Sequence, residues 1–173
     1  QFNFRHNNIA LGAGAIFLVD SLTEARLKAL NRRGLKPKGK PALYALNIKT
    51  GDMLWQTRED VFGTFLNYSA EHDLLLQAGS AYRDRAKDDI GEGMVAYRGQ
   101  TGKVLWENKA LKYSGPCLLM KDRIITNGNG GFALDIKTGK TTGWSYKRNY
   151  GCNTAIGSEH LLTFRSGAAG FYD

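Results

Sequence analysis

Short apolar runs separated by polar turns recur along the whole chain, and this alternation predicts strands joined by hairpins. Three runs end in one pattern: ALNIKTGDMLW at 45–55, AYRGQTGKVLW at 96–106 and ALDIKTGKTTGW at 133–144, the last with an extra residue before its tryptophan. Each reads as an apolar strand, a Thr-Gly turn and a second strand carrying tryptophan. Glycine suits such a turn because it takes positive φ without a Cβ clash. A further β segment precedes each hairpin: AIFLVD at 15–20, DLLLQAG at 73–79 and DRIITNG at 122–128, with a fourth copy, EHLLTFRSG, at 159–167. Shorter segments lead into the later copies: FGTFLNYS at 62–69, KYSGPCLLM at 112–120 and NYGCNTAIG at 149–157. About four strands per unit, repeated, is the arrangement of propeller blades.

The turn glycines Gly51, Gly102 and Gly139 are 51 and 37 residues apart, so unequal insertions separate the repeated cores. In the first unit, residues 21–33 read as a helical insertion. Ser21 with Glu24 forms an S-x-x-E capping box, Gly34 ends the helix, and Leu22, Ala25, Ala29 and Leu30 give it an apolar stripe to pack on the blade. In the second unit, residues 80–93 read as a charged loop insertion. The third unit is close to the minimal blade.

The repeated residues resemble the tryptophan-docking repeat of PQQ-like, or quinoprotein-like, propellers, roughly A-x-D-x-x-T-G-K-x-x-W. Ala133, Asp135, Thr138, Gly139, Lys140 and Trp144 match it apart from the inserted residue. Ala45, Thr50, Gly51 and Trp55 match with Asn47 and Asp52 substituted; Ala96, Thr101, Gly102, Lys103 and Trp106 match with Arg98 in the acidic position. The resemblance implies an all-β fold of about three to four quinoprotein-like blades over 1–173, part of a larger propeller, with one short helical insertion. It also implies that Trp55, Trp106 and Trp144 wedge between blades, with Gly51, Gly102 and Gly139 leaving room for them. The end of the chain, Gly170 to Asp173, aligns with Phe132 to Asp135, so a fourth copy is expected to stop inside its pattern.

Composition adds to this picture mainly by what it leaves out. The 173 residues are 42% hydrophobic, with 21 glycines and only three prolines, enough apolar material for a core and many tight turns. No run approaches the ~20 apolar residues of a membrane-spanning helix. The net charge of +8 is concentrated early: Arg26, Lys28, Arg32, Arg33, Lys36, Lys38 and Lys40 fall in one segment. No aromatic residues interleave with these charges, so they read as a solvated insertion, and nucleic acid ranks last among expected partners.

Candidate chemistry is sparse. Family enzymes are expected to bind pyrroloquinoline quinone (PQQ) and calcium near the propeller axis, often with adjacent cysteines. No adjacent cysteines occur here; Cys117 and Cys152 read as buried thiols, with a disulfide between them left open. Asn153, Thr154 and Arg165 lie in inner-strand segments and offer an amide, a hydroxyl and a cation for any cofactor at the axis. Asp84, Asp88, Asp89 and Glu92, interspersed with Arg83, Arg85 and Lys87, lack EF-hand spacing and read as a self-neutralising loop. Gly128 to Ala133 superficially match G-x-G-x-x-A but lead into a strand, so no helix terminus is there for phosphate. His6, His72 and His160 lack metal-ligand spacing, and Ser166 lacks an activating context. No catalytic residue and no metal ligand emerges. The function expected is a propeller scaffold or interaction module, whose partners are the remaining blades or another protein chain. In role it is similar to the propeller lipoprotein of bacterial outer-membrane assembly. The alternative is part of a PQQ-dependent dehydrogenase with cofactor and catalytic residues mostly outside this segment. The resemblance places such a protein in the periplasm or outside the cell.

Overall fold

A computed structural model of the chain describes residues 4–37, 39–79, 90–113, 115–127, 130–147, 156–158, 162–165 and 169–172. These form three four-stranded antiparallel sheets and one of three strands, the successive blades of a β-propeller. Blade 1 holds β1 (Phe4–Gly12), β2 (Ala15–Asp20), β3 (Ala42–Asn47) and β4 (Met53–Thr57). Blade 2 holds β5 (Phe65–Ser69), β6 (Leu74–Ala78), β7 (Glu92–Arg98) and β8 (Val104–Lys112). Blade 3 holds β9 (Leu118–Met120), β10 (Arg123–Ile125), β11 (Gly130–Asp135) and β12 (Thr141–Lys147). Blade 4 holds β13 (Ile156–Gly157), β14 (Leu162–Arg165) and β15 (Ala169–Tyr172). Within each blade the strands pair in chain order as a meander. The first strands lie side by side, β1 against β5, β5 against β9 and β9 against β13, and so mark the inner edge.

The hairpin between the third and fourth strands of blades 1 to 3 is set by its turn. The amides of Gly51, Gly102 and Gly139 donate to the carbonyls of Asn47, Arg98 and Asp135 at 2.8, 2.8 and 2.9 Å. The three glycines have φ of +77, +71 and +67°, which a side chain would resist. In two turns an Asx side chain adds a clasp: Asn47 Oδ1 accepts from the Lys49 and Thr50 amides, and Asp135 Oδ1 from the Thr138 amide and hydroxyl. Arg98 cannot do this; its turn has the backbone bond from Arg98 N to Lys103 O at 2.7 Å, and Asp73 Oδ2 accepts from the Gln100 amide instead. The same strands are bulged: Ala45 lies opposite Trp55 but Leu46 opposite Met53, and Ala96 opposite Trp106 but Tyr97 opposite Val104. The extra residue of the third hairpin falls in the corresponding bulge, between Phe132 and Leu134, where Gly143 takes φ +81°.

The helical insertion differs from its sequence reading. α1 spans Glu24–Arg32, and its N-cap is Thr23, whose Oγ1 accepts from Arg26 N at 3.1 Å. Ser21 lies two residues too early, because the chain runs on past the end of β2 at Asp20 before the helix begins, and Thr23 is the last extended residue. At the other end, Gly34 N donates to Asn31 O and Leu35 N to Leu30 O, with Gly34 at φ +71°, a Schellman closure. No residue of α1 is buried, so its apolar stripe does not clamp it to the blade, and an exposed Lys28–Glu24 pair lies along it. Its arginines, together with Lys36 and Lys40, are solvated; Lys38 lies outside the described residues.

Three apolar clusters fill the spaces between sheets. Phe17, Val19 and Leu43 of blade 1 meet Leu66, Leu75 and Tyr97 of blade 2. The opposite face of blade 2, with Leu76, Met94 and Trp106, meets Cys117, Ile124 and Leu134 of blade 3. Ile125, Ala133 and Tyr146 of blade 3 meet Leu162 of blade 4. Strand alternation produces this directly: neighbouring residues such as Leu75 and Leu76 serve opposite interfaces, so β6 is buried throughout.

Candidate functional site

The most developed side-chain chemistry in the described residues lies between blades. Trp55 on β4 donates its Nε1–H to the Gly99 carbonyl of blade 2 at 2.7 Å, and Trp106 on β8 donates to the Ile136 carbonyl of blade 3 at 2.8 Å. Gly99 and Ile136 occupy the same place, one residue past the third strand, three residues before the turn glycine. Each indole thus lies on the turn of the following blade. A Cβ built on Gly102 would fall 2.7 Å from Trp55 Cδ2, and one on Gly139 would fall 2.4 Å from Trp106 Cε3. Glycine therefore serves twice here, once for its φ and once for the face it leaves clear. On its own blade each indole covers the small Ala45 or Ala96 across the ladder. Around Trp55 the ring centroids of Phe17 and Tyr97 lie at 6.0 and 6.4 Å, one from each blade.

The seats are held by one recurring backbone tie. Ile48 N donates to Gly14 O, Gly99 N to Asp73 O and Ile136 N to Asp122 O, at 2.9, 2.9 and 2.8 Å. Tyr68 strengthens the second seat by donating its hydroxyl to Asp73 Oδ1 at 2.8 Å. Burial, then the hydrogen bond to Asp73 and its charge, pushes the Tyr68 pKa up to about 12. His72 lies between turns of blades 2 and 3, with Nε2 at 3.1 Å from Lys121 O and 3.5 Å from Asp122 Oδ1.

Sequence reasoning missed Gln77. This side chain, fully buried on β6, accepts from the amides of Phe62 and Gly63 at 3.0 Å each. It donates to Asp60 O at 2.9 Å and to Tyr97 Oη at 3.0 Å. Both acceptor positions of its oxygen and one of its two N–H donors pin the connection from blade 1 to blade 2, and the other donor reaches Tyr97 on β7. The available signal was one amide at the end of the run LLLQAG, an inward position that demands partners.

The remaining candidate residues divide as follows. Trp144 packs beside Tyr146, with centroids 5.6 Å apart, in the cluster between blades 3 and 4. Gly51 has nothing within 4 Å of a built Cβ. Cys117 is a free buried thiol in the blade 2–3 cluster, and desolvation pushes its pKa up to about 12. Asn153, Thr154, Cys152, His160 and Ser166 lie outside the described residues, as do Arg83, Asp84, Arg85, Lys87, Asp88 and Asp89; Arg165 is placed on β14 by its backbone alone, and His6 likewise on β1. Glu92 opens β7 and is exposed. Among the described residues no three His, Cys, Asp or Glu side chains gather to hold a metal ion. None of the described helices is long and apolar enough to cross a membrane.

No protein-family model matches the chain, and no curated protein matches it. Solved structures do. The chain is similar to BamB from Moraxella catarrhalis, at TM-score 0.58 and 14% identity, over 90% of this chain and 41% of that one. It is similar to the computationally designed Ika8 protein, at TM-score 0.61 and 10% identity, over 96% of this chain and 45% of that one. A europium-containing methanol dehydrogenase aligns at TM-score 0.50 and 16% identity, over 81% of this chain and 24% of that one. The chain thus spans less than half of each of these three proteins, and what it shares with them is the β-propeller fold found in PQQ-like proteins.

Proposed function

We propose that the chain is a propeller scaffold of the PQQ-like type, in the periplasm or outside the cell, that presents blade edges and loops to a protein partner. The observation that supports this most is where the strong side-chain chemistry goes. Trp55, Trp106, Cys117 and Gln77 all face a neighbouring blade or its connection, and α1 stands exposed outside the sheets. On this reading the tryptophans act as docking residues that make the ring rigid, and recognition belongs to what lies outside it.

A PQQ-dependent dehydrogenase is the second reading, favoured by the fold shared with methanol dehydrogenase. The described residues offer no set of acids for the calcium such an enzyme holds. Asn153, Thr154 and Arg165 are its candidate contacts. The two readings separate in one assay: the purified protein is mixed with PQQ and calcium, then offered alcohols or sugars with an artificial electron acceptor. The scaffold reading expects no quinone binding and no acceptor reduction; saturable binding with substrate-dependent reduction would end it.

A further inference from the structure

Between β2 and β3 the chain leaves blade 1 over residues 21–41. The meander puts this connection at the end of the blade opposite the Thr-Gly turn that joins β3 to β4. Seven Lys or Arg and a single acid, Glu24, fall within it. Arg26, Lys28, Arg32, Arg33, Lys36 and Lys40 are all exposed, and of these six only Lys28 has a carboxylate partner among the described residues. α1 is nine residues long and none of them is buried. Isolated helices below ~12–15 residues are marginal in water, so the Thr23 cap and the Gly34 closure hold a helix that its own blade does not support. Leucines nevertheless stand among these charges, Leu27 37% and Leu35 55% exposed. Leu27 and Leu30 lie about 60° apart round the helix, and the bond from Leu35 N to Leu30 O folds Leu35 back beside them. Arg26 borders this apolar strip on one side, Asn31 and then Lys28 on the other.

We propose that residues 21–41 dock on the surface of an anionic phospholipid membrane, with the leucines entering the headgroup layer and the Lys and Arg side chains pairing with lipid phosphates. Leucines and a basic cluster of this size on one helix combine the two terms that hold interfacial helices, apolar burial and attraction to anionic headgroups. The arrangement also selects the occupant. The cations surround the helix and run on through Lys36 and Lys40 among Pro37, Gly39 and Pro41, with no repeat to match carboxylates fixed on a protein. A fluid headgroup layer accepts them in any arrangement. A nucleic-acid backbone matches the charge but offers the leucines no apolar layer. The inference concerns the insertion and holds whether the ring is a scaffold or a quinone enzyme.

The test is co-sedimentation of the full chain with vesicles of phosphatidylcholine alone and of an equal mixture with phosphatidylglycerol. The mixed vesicles are expected to bind roughly tenfold or more tightly, and Arg26→Glu, Arg33→Glu and Lys36→Glu together to remove that gain. Lys49→Glu, Lys103→Glu and Lys140→Glu make the same change in net charge on the exposed turns at the opposite end, and should keep most of it. Leu27→Ser with Leu35→Ser should weaken binding by roughly tenfold. Unchanged circular dichroism and urea midpoints verify that the blades of each variant are folded. No preference for the mixed vesicles, equal loss in the two charge variants, or full binding after the leucine replacements overturns the proposal. So does tighter binding to duplex DNA or to polyglutamate than to the mixed vesicles, since that would assign the segment to nucleic acid or to an acidic protein.

Discussion

Gly51, Gly102 and Gly139 provide an internal experiment, because their backbone conformations agree within 10° while their surroundings differ. Replacing each in turn with alanine imposes the same left-handed strain, ~1–2 kcal/mol. The unfolded-chain effect of Gly→Ala is shared and cancels between them. At Gly51 nothing else is touched, so that strain is the whole expected loss. At Gly102 and Gly139 the new methyl lies 2.7 and 2.4 Å from an indole, which must move off the turn. Overpacking of this kind costs ~1–3 kcal/mol, and loss of the Nε1–H bond to Gly99 or Ile136 adds about 1 kcal/mol. The losses at these two positions should therefore total ~3–6 kcal/mol, well clear of Gly51. Equilibrium urea unfolding, followed by circular dichroism and by tryptophan emission, measures all three. Losses agreeing within about 0.5 kcal/mol would show that φ alone governs the turns and that the indole contacts contribute nothing.

Other outcomes follow from single groups. Gln77→Leu should destabilise by ~2–5 kcal/mol, because it strands the Phe62 and Gly63 amides; faster hydrogen exchange at those two amides would accompany it. Cys117 should resist alkylating reagents in the native protein and react once urea unfolds it, since a thiol with its pKa near 12 supplies almost no thiolate at neutral pH; rapid native labelling would contradict its burial. At high pH, Tyr68 favours the folded state through its neutral form. That contribution is complete below pH 10, its unperturbed value, and is lost as pH rises through about 12. Burial raises Tyr97 and Tyr113 in the same direction, so tyrosinate absorbance should develop late and together with unfolding, and Tyr68→Phe should make the alkaline transition less steep.

What could be read from sequence was what the chain encodes within a few residues. The Thr-Gly turns announce themselves because positive φ, the Asx clasp and the flanking apolar strands all sit inside one short stretch. The partner of each indole does not: Trp55 reaches a carbonyl 44 residues away and Trp106 one 30 residues away. The repeat supplied that pairing only through family resemblance. Gln77 escaped notice because three of its partners lie 14 to 17 residues distant on a connection with no regular pattern, and the fourth, Tyr97, lies 20 residues away on β7. The start of α1 was misplaced because Ser21 and Thr23 are both competent caps, and only the extended exit from β2 selects between them. The axis candidates Asn153 and Thr154 remain sequence readings, since they fall outside the described residues.

The indole contacts also have a direction: each runs from a blade to the one that follows it in the chain. During synthesis from the amino end, Trp55 and Trp106 are consequently each made before the carbonyl that will hold them. At the usual ~5–20 residues per second, the 44-residue gap leaves Trp55 waiting roughly 2–9 s for Gly99. The nascent protein therefore grows with its newest completed blade always unlatched, its indole turned to water beside the ribosome until the next hairpin emerges to cover it.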